Sequence, residues 1–240
     1  MARLNDASAT AVQFPVLDIQ PLSEQTLSNT DRTNIALCDI AVFISRNAVI
    51  HGLPVIEQAG GLPAAARIAS VGRGTADELG KRGIQVDLLP SSAANSEALL
   101  DEMASIDIAG KHVIIIRGTG GRELLADTLR SRGANVHYLE CYRRCLPDSD
   151  SGILTRLWEH AGIDAIVVTS TDGLKNLHEL VLPADRDRLL ATRLYVVSTS
   201  MVELCADLGY NLTPVLSKSP IDDDVMAALL AHCSKSHLSG

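Results

Sequence analysis

Aromatic side chains are scarce in this chain. Two phenylalanines, four tyrosines and one tryptophan make up 3% of its 240 residues. Any core must therefore be filled by Leu, Ile, Val and Ala, and an apolar content of 46% supplies enough for one large domain or two small ones. Positive charge is in deficit too, with a formal net charge of -8. An acidic surface repels nucleic acid and anionic membrane, so neither is expected as a partner. No apolar run approaches the length of a membrane span. The opening residues show no basic stretch followed by an apolar core, so no targeting segment is expected. Cysteines are few and odd in number: Cys38, Cys141, Cys145, Cys205 and Cys233, with one close pair. That pattern predicts reduced, mostly buried thiols in a cytoplasmic protein.

Catalytic signatures are missing as well. There is no HExxH, no CxxC and no GxSxG, and the seven histidines include no pair at metal-ligand spacing. Neither a metal nor a cofactor is expected. The glycines at 118–121 are not followed by the Lys-Ser or Lys-Thr of a P-loop. Gly72-Arg73-Gly74-Thr75-Ala76-Asp77 lacks the third glycine of the dinucleotide fingerprint. Nucleotide enzymes therefore fall in rank. An enzyme with this inventory would work by binding and shaping its substrate.

Short apolar runs alternate with helical patterns. Strands are predicted at 14–19, 40–45, 67–71, 86–89, 112–116, 136–141, 164–169, 194–197 and 211–215. Helices are predicted at 47–58, 74–82, 96–103, 121–132, 151–159, 173–180, 200–208 and 222–234. Continuous apolar strands between helices are the mark of parallel sheets covered on both faces. Two extended segments ending in proline, 16–22 and 138–147, read as crossings between lobes. The expected architecture is α/β, with two doubly wound parallel-sheet domains joined by a two-stranded linker. An inserted domain covers 22–145. A discontinuous domain takes 1–21 with 146–240, the 14–19 strand joining its three later ones.

The most telling stretch is Ile114-Ile115-Ile116-Arg117-Gly118-Thr119-Gly120-Gly121-Arg122-Glu123-Leu124-Leu125. An apolar strand runs into a glycine turn flanked by Arg117 and Arg122, and a helix follows. Such a turn presents backbone N–H groups and positive charge to an anion. Gly118 and Gly121 would let a ligand approach the backbone. Ser45, Arg46, Asn47 and Thr75 sit where two other strands feed helices, with acids following Thr75 in an expected first turn. Thr169, Ser170 and Ser198 occupy the same place further along. Ligands of open α/β sheets bind beyond the carboxyl ends of the strands. The expected lining is one of hydroxyls, amides and a few arginines. Tyr142, in Glu140-Cys141-Tyr142-Arg143-Arg144, is the candidate proton donor or orienting group, beside the second crossing.

Taken in order, several segments resemble the uroporphyrinogen-III synthase family over residues 14–233. They include Phe14-Pro15-Val16-Leu17-Asp18-Ile19, Phe43-Ile44-Ser45-Arg46-Asn47-Ala48-Val49, Val71-Gly72-Arg73-Gly74-Thr75-Ala76 and the Arg117 to Leu125 turn. Tyr142-Arg143, Thr169-Ser170-Thr171-Asp172-Gly173-Leu174 and Val197-Ser198 continue the series. The resemblance implies two α/β domains on a two-stranded linker with the substrate in the cleft between them. It implies a cofactor-free reaction on hydroxymethylbilane, a linear tetrapyrrole with eight carboxylates. Water is lost, a spiro intermediate forms, and the last ring closes inverted. Tyr142 would stand near the leaving hydroxyl, and Ser45, Asn47, Thr75, Thr169, Ser170 and Ser198 near the substrate. A monomer is expected, with the upstream bilane-forming synthase as a candidate partner. Family members usually open with a strand and helix before the Phe-Pro segment. Here residues 1–4 read as the tail of that helix, so the discontinuous domain is expected to lack its first strand. The rival reading is a non-catalytic two-lobed binding or regulatory protein for a polyanionic tetrapyrrole.

Overall fold

The run Val113-Ile114-Ile115-Ile116 lies inside a five-stranded sheet, and the alternation of its side chains divides the surrounding core in two. The computed structural model describes residues 10–22, 27–91, 95–148, 150, 152–219 and 222–236, with side chains described to residue 230. The expected helix tail at 1–4 and the Cys233 side chain lie outside the described residues. The chain gathers into two compact units, Ile19–Cys145 and Met1–Asp18 with Leu146–Gly240.

In the Ile19–Cys145 unit the strands are β1 (Asp18–Pro21), β2 (Ile40–Phe43), β3 (Arg67–Ser70), β4 (His112–Gly118) and β5 (Asn135–Cys145). Their order is β1-β5-β4-β2-β3. The β3–β2, β2–β4 and β4–β5 pairs are parallel. Helices α1 (Asn29–Ala36), α2 (Arg46–Gln58), α3 (Arg73–Gly80), α4 (Ser96–Glu102) and α5 (Leu124–Ser131) connect them. Ala41, Phe43, Ile114, Ile116, Leu139 and Cys141 pack on one face with Val49, Leu53 and Ile56 of α2. Ile40, Val42, Val113 and Ile115 pack on the other with Leu99, Met103, Leu125 and Leu129. Strands buried on both faces must be apolar throughout, as these are.

Chain order reverses between β2 and β4. From β2 the chain moves outward to β3, then returns to lay β4 on the opposite side of β2. The loops that leave β2 and β4 therefore diverge, opening a crevice at the carboxyl ends of the strands.

The other unit holds a three-stranded parallel sheet, β6 (Ala165–Val167), β7 (Arg193–Val196) and β8 (Val215–Leu216). Its helices are α6 (Gly152–His160), α7 (Thr171–Leu180), α8 (Arg186–Ala191), α9 (Thr199–Asp207) and α10 (Asp222–Ser236), with a 3-10 turn at Pro183–Asp185. Leu154, Leu174, Leu177, Leu189, Leu194 and Val196 form its core, and Phe14 and Val16 pack against it.

Three expectations need correction. The 14–19 segment adds no strand to this second sheet. Pro15 lacks a backbone N–H, and the Val16 carbonyl accepts from the Asn176 side chain at 2.8 Å rather than from a neighbouring strand. Strand structure begins only at Asp18, in the other sheet beside β5, where Leu22 N donates to Cys141 O at 3.0 Å. The 86–89 strand shrinks to a single bridge between Ala69 and Leu88. There the Asp87 carboxylate accepts the Ile68 amide at 2.7 Å in place of a ladder carbonyl, and Pro90 follows. Thr75 does not open a helix. Gly72 is the cap of α3, and Thr75 is its buried third residue, which places Asp77 and Glu78 beyond the first turn.

Candidate functional site

A cavity of about 270 Å3 lies under the glycine turn of the five-stranded unit, at the point where strand order reverses. Ile44 from the β2 exit and Val71 from the β3 exit form part of its wall. Arg117 to Arg122, Tyr138, Tyr142, Arg144 and Ser96 complete most of the rest.

The turn is built around Arg117. Expected as an outward clamp, this residue is instead 3% exposed and turned into its own loop. Its guanidinium donates to the Gly118 carbonyl at 3.2 Å, to the Gly120 carbonyl, and to Glu123 Oε1 at 3.2 Å. It also lies over the Tyr138 ring, 4.5 Å from the centroid. The Gly118 and Gly120 carbonyls are drawn to the guanidinium, while Thr119 N donates to Tyr142 O at 2.9 Å and Gly120 N to Glu140 Oε1 at 3.3 Å. Gly120 and Gly121 have φ of 70° and 112°, values that side chains resist. At Gly121 an added Cβ would also stand 2.8 Å from the Arg117 guanidinium. Among the described residues, the amides of Gly121, Arg122 and Glu123 donate to no protein acceptor. Helix α5 follows without a side-chain cap, so its N-terminus adds positive potential there. Arg122 is exposed and makes no ion pair among the described residues. The loop thus offers an anion three amides and one outward arginine.

Glu123 holds the turn from the other side. Its carboxyl is kept below the ordinary glutamate range by the Tyr138 hydroxyl that donates to it, aided by Arg117. Burial and the same carboxylate push the Tyr138 phenol up.

Tyr142 is 1% exposed, and its placement depends on a shift in register. Arg117 pairs with Glu140, but Gly118 pairs with Tyr142, so Cys141 is skipped. The irregularity breaks the in-and-out alternation and buries Cys141 and Tyr142 together. Cys141 Sγ donates to the Arg117 carbonyl at 3.3 Å, and burial pushes its thiol up to about 12. The tyrosine ring crosses Gly118, where an added Cβ would stand 2.5 Å from Cε2. His51 covers the ring at a centroid distance of 5.7 Å, and burial lowers its imidazole pKa. The Tyr142 hydroxyl lies 3.0 Å from Ser45 Oγ.

Of the residues singled out from sequence, Arg117, Gly118, Gly121, Arg122 and Tyr142 surround this one cavity. Ser45 joins them through Tyr142 while capping α2. Arg46 is held to the Gly74 carbonyl at 3.2 Å, Asn47 lies half-buried in the first turn of α2, and Thr75 is buried within α3. Thr169, Ser170 and Ser198 belong to the other unit, at the carboxyl ends of β6 and β7. Ser170 caps α7 by accepting the Gly173 amide at 3.0 Å, and Ser198 Oγ lies 3.0 Å from Ser200 Oγ. Sequence reasoning missed Tyr138, Glu123 and His51. The spacing Arg117–Glu123 on either side of a glycine turn was the available signal for one of them. No group of three or more His, Cys, Asp or Glu fit to hold a metal occurs among the described residues, and no helix among them is long and apolar enough to cross a membrane.

The fold and site define a two-unit α/β protein with a cavity and a turn of unpaired amides at a strand-order reversal. The comparisons with known proteins make the assignment narrower. The sequence model of the family described as Uroporphyrinogen-III synthase HemD matches residues 1–221. The uroporphyrinogen-III synthase of Escherichia coli K12 is 31% identical over 232 residues, spanning 96% of this chain and 94% of that protein. That of Salmonella typhimurium is 32% identical over 233 residues, with the same coverage of 96% and 94%. Among solved structures, a mutant uroporphyrinogen III synthase from the extremely thermophilic bacterium Thermus thermophilus superposes with a TM-score of 0.61 at 17% identity, covering 98% of this chain and 93% of that one. The uroporphyrinogen-III synthetase of Helicobacter pylori 26695 gives 0.61 at 13% identity, covering 90% of each. The chain belongs to the uroporphyrinogen-III synthase family.

Proposed function

We propose that this protein converts hydroxymethylbilane to uroporphyrinogen III, with loss of water and inversion of the last ring through a spiro intermediate. The observation that carries the reading is the pairing of a buried tyrosine with a turn of unpaired amides around one cavity. A substrate with eight carboxylates needs directed N–H groups more than a cationic surface. The amides of Gly121 and Arg122 and the Arg122 side chain supply them. Asn47, Thr75, Thr169, Ser170 and Ser198 are proposed as further hydroxyl or amide contacts, and Ser45 stands beside Tyr142. Arg117 acts by holding the turn in shape.

Chemistry begins at the terminal hydroxymethyl carbon. Tyr142 gives its phenol proton to the leaving hydroxyl, the C–O bond breaks, and the pyrrole nitrogen lone pair stabilises the azafulvene. Attack at the substituted carbon of the last ring gives the spiro intermediate, which fragments and recloses inverted. Loss of the final ring proton returns a proton to Tyr142. The azafulvene forms readily, so general acid help sits at the low end of its usual range. The Tyr142→Phe variant is expected to lose roughly 10- to 100-fold in turnover without losing all activity. The free, buried thiols of Cys38, Cys141 and Cys205 fit a reducing compartment such as the cytoplasm.

The test is to supply hydroxymethylbilane to the purified protein, oxidise the product and separate the isomers. Type III product from the wild type, formed more slowly by Tyr142→Phe, supports the reading. Only type I product, from spontaneous closure, would make the protein a binder rather than a catalyst.

A further inference from the structure

Two hydroxyls 3.0 Å apart share one proton, and which of them donates decides what the other can do. Ser45 Oγ already accepts the Ala48 amide at 3.0 Å, in its role as the cap of α2. If Tyr142 donated to Ser45, its phenol would have no proton left for a substrate. If Ser45 donates to Tyr142, the phenol proton is free to point into the cavity that Tyr142 lines. The capping amide favours the second arrangement. An N–H donated into a hydroxyl oxygen polarises that hydroxyl and strengthens it as a donor. The positive end of the α2 dipole acts in the same direction.

The rest of the surroundings leaves the phenol little freedom. Gly118 lets the ring lie against the backbone of β4, and His51 packs on it from α2. Ser45 is the only hydrogen-bond partner of the Tyr142 hydroxyl among the described residues. We infer that Ser45 is a positioning residue for Tyr142, donating its hydroxyl proton to the phenol oxygen so that the phenol proton faces the substrate. The same bond steadies the phenolate that remains once the proton has left with the hydroxyl as water. It is retained until the last ring proton returns to the phenolate. Ser45 therefore acts through Tyr142 and not by gripping a carboxylate. The inference rests on the reaction proposed above.

A double-mutant cycle tests it. Ser45→Ala is expected to lower kcat about 5- to 20-fold while KM stays within about twofold, because an interaction made for the transition state is lost. Ser45→Thr, which keeps the hydroxyl, should recover most of the rate. In a Tyr142→Phe background, Ser45→Ala should change kcat by less than about twofold. Should Ser45→Ala fail to fold, Ser45→Gly takes its place, since glycine is tolerated at a helix cap. Losses that multiply in the double variant, or a raised KM at unchanged kcat, would overturn the inference and make Ser45 a substrate contact. Those outcomes leave the proposed reaction standing if the wild type still forms the type III isomer. A wild type that forms only type I removes both.

Discussion

The two units are built on sheets of very different quality. In the Ile19–Cys145 unit, β4 has seven residues, of which the last six are buried, and each face of its sheet carries its own core. In the other unit, β6 has three residues, none fully buried, and Val167 is 39% exposed. One core cluster is described there. Burial on both faces surrounds a strand with packed side chains and leaves each residue little room to shift, a constraint that half-exposed β6 lacks. The site features that need tight tolerances, the register shift at Gly118 and the seat of Tyr142, lie in the first kind of sheet. The hydroxyl cap of Ser170 and the N-cap position of Ser198 lie in the second.

The contrast breaks most readily at Phe43. This side chain is 0% exposed, and truncation to alanine should cost about 3–5 kcal/mol. Trp158, the only tryptophan, lies in α6 of the other unit with its indole N–H on Thr192 at 3.1 Å. Urea unfolding followed by far-ultraviolet circular dichroism should therefore shift in Phe43→Ala while the Trp158 fluorescence midpoint stays put. A Trp158 midpoint that moves equally would mean one cooperative block and end the contrast.

Glycines give a finer comparison. The carbon added in Gly118→Ala meets the Tyr142 ring, a rigid group with no room to retreat. Overpacking of that kind costs about 1–3 kcal/mol, and turnover should fall with it. Gly173→Ala in α7 meets the Ser170 hydroxyl at 2.9 Å, the movable end of a cap. A gain in helix propensity of up to about 1 kcal/mol should offset that contact and leave stability nearly unchanged. Thermal melts of both variants decide the matter, and equal losses would show that the second sheet is as unyielding as the first.

The smallest effect is a difference in acid response. Glu123 has its folded pKa depressed, so its clamp contributes fully above the ordinary glutamate range and is lost as pH falls through the lower folded value. The Ser170 cap is a hydroxyl and does not titrate. Amide exchange at Thr119 and Gly120, the bonded amides of the turn, should accelerate at acid pH relative to its intrinsic rate, while the amide of Gly173 keeps its protection. Parallel loss at both would assign the change to general unfolding.

Much of the better-built unit is legible in its sequence. Continuous apolar runs at 40–43 and 113–116 fit doubly covered strands. The glycine turn breaks that pattern in a way only a special backbone requires. The harder parts depend on partners far along the chain. Residues 14–19 look like a strand of the second sheet because they are apolar, yet Pro15 and the Asn176 amide keep their first part out of it, and Asp18 and Ile19 join the other sheet. Helix α1 escapes notice because Ile35 is its one buried residue, although its Ser28–Asp31 capping box was readable. The inward turn of Arg117 could not be read at all. Composition places an arginine beside glycines, but only the fold decides that its nearest acceptors are its own carbonyls. The register shift at Gly118 is equally silent, since no local signal says which residue of β5 will be skipped.

The bond between the Val16 carbonyl and Asn176 spans 160 residues of sequence. A ribosome adding about 5–20 residues each second needs roughly 8–30 s to make that interval. Within it the whole Ile19–Cys145 unit is made, β2 to β5 included. Phe14 and Val16, made before that interval, stay uncovered until the residues of the later core cluster arrive. These two apolar residues thus leave the ribosome well before the residues that bury them, and the window in which a chaperone would find them is set by translation rather than by folding.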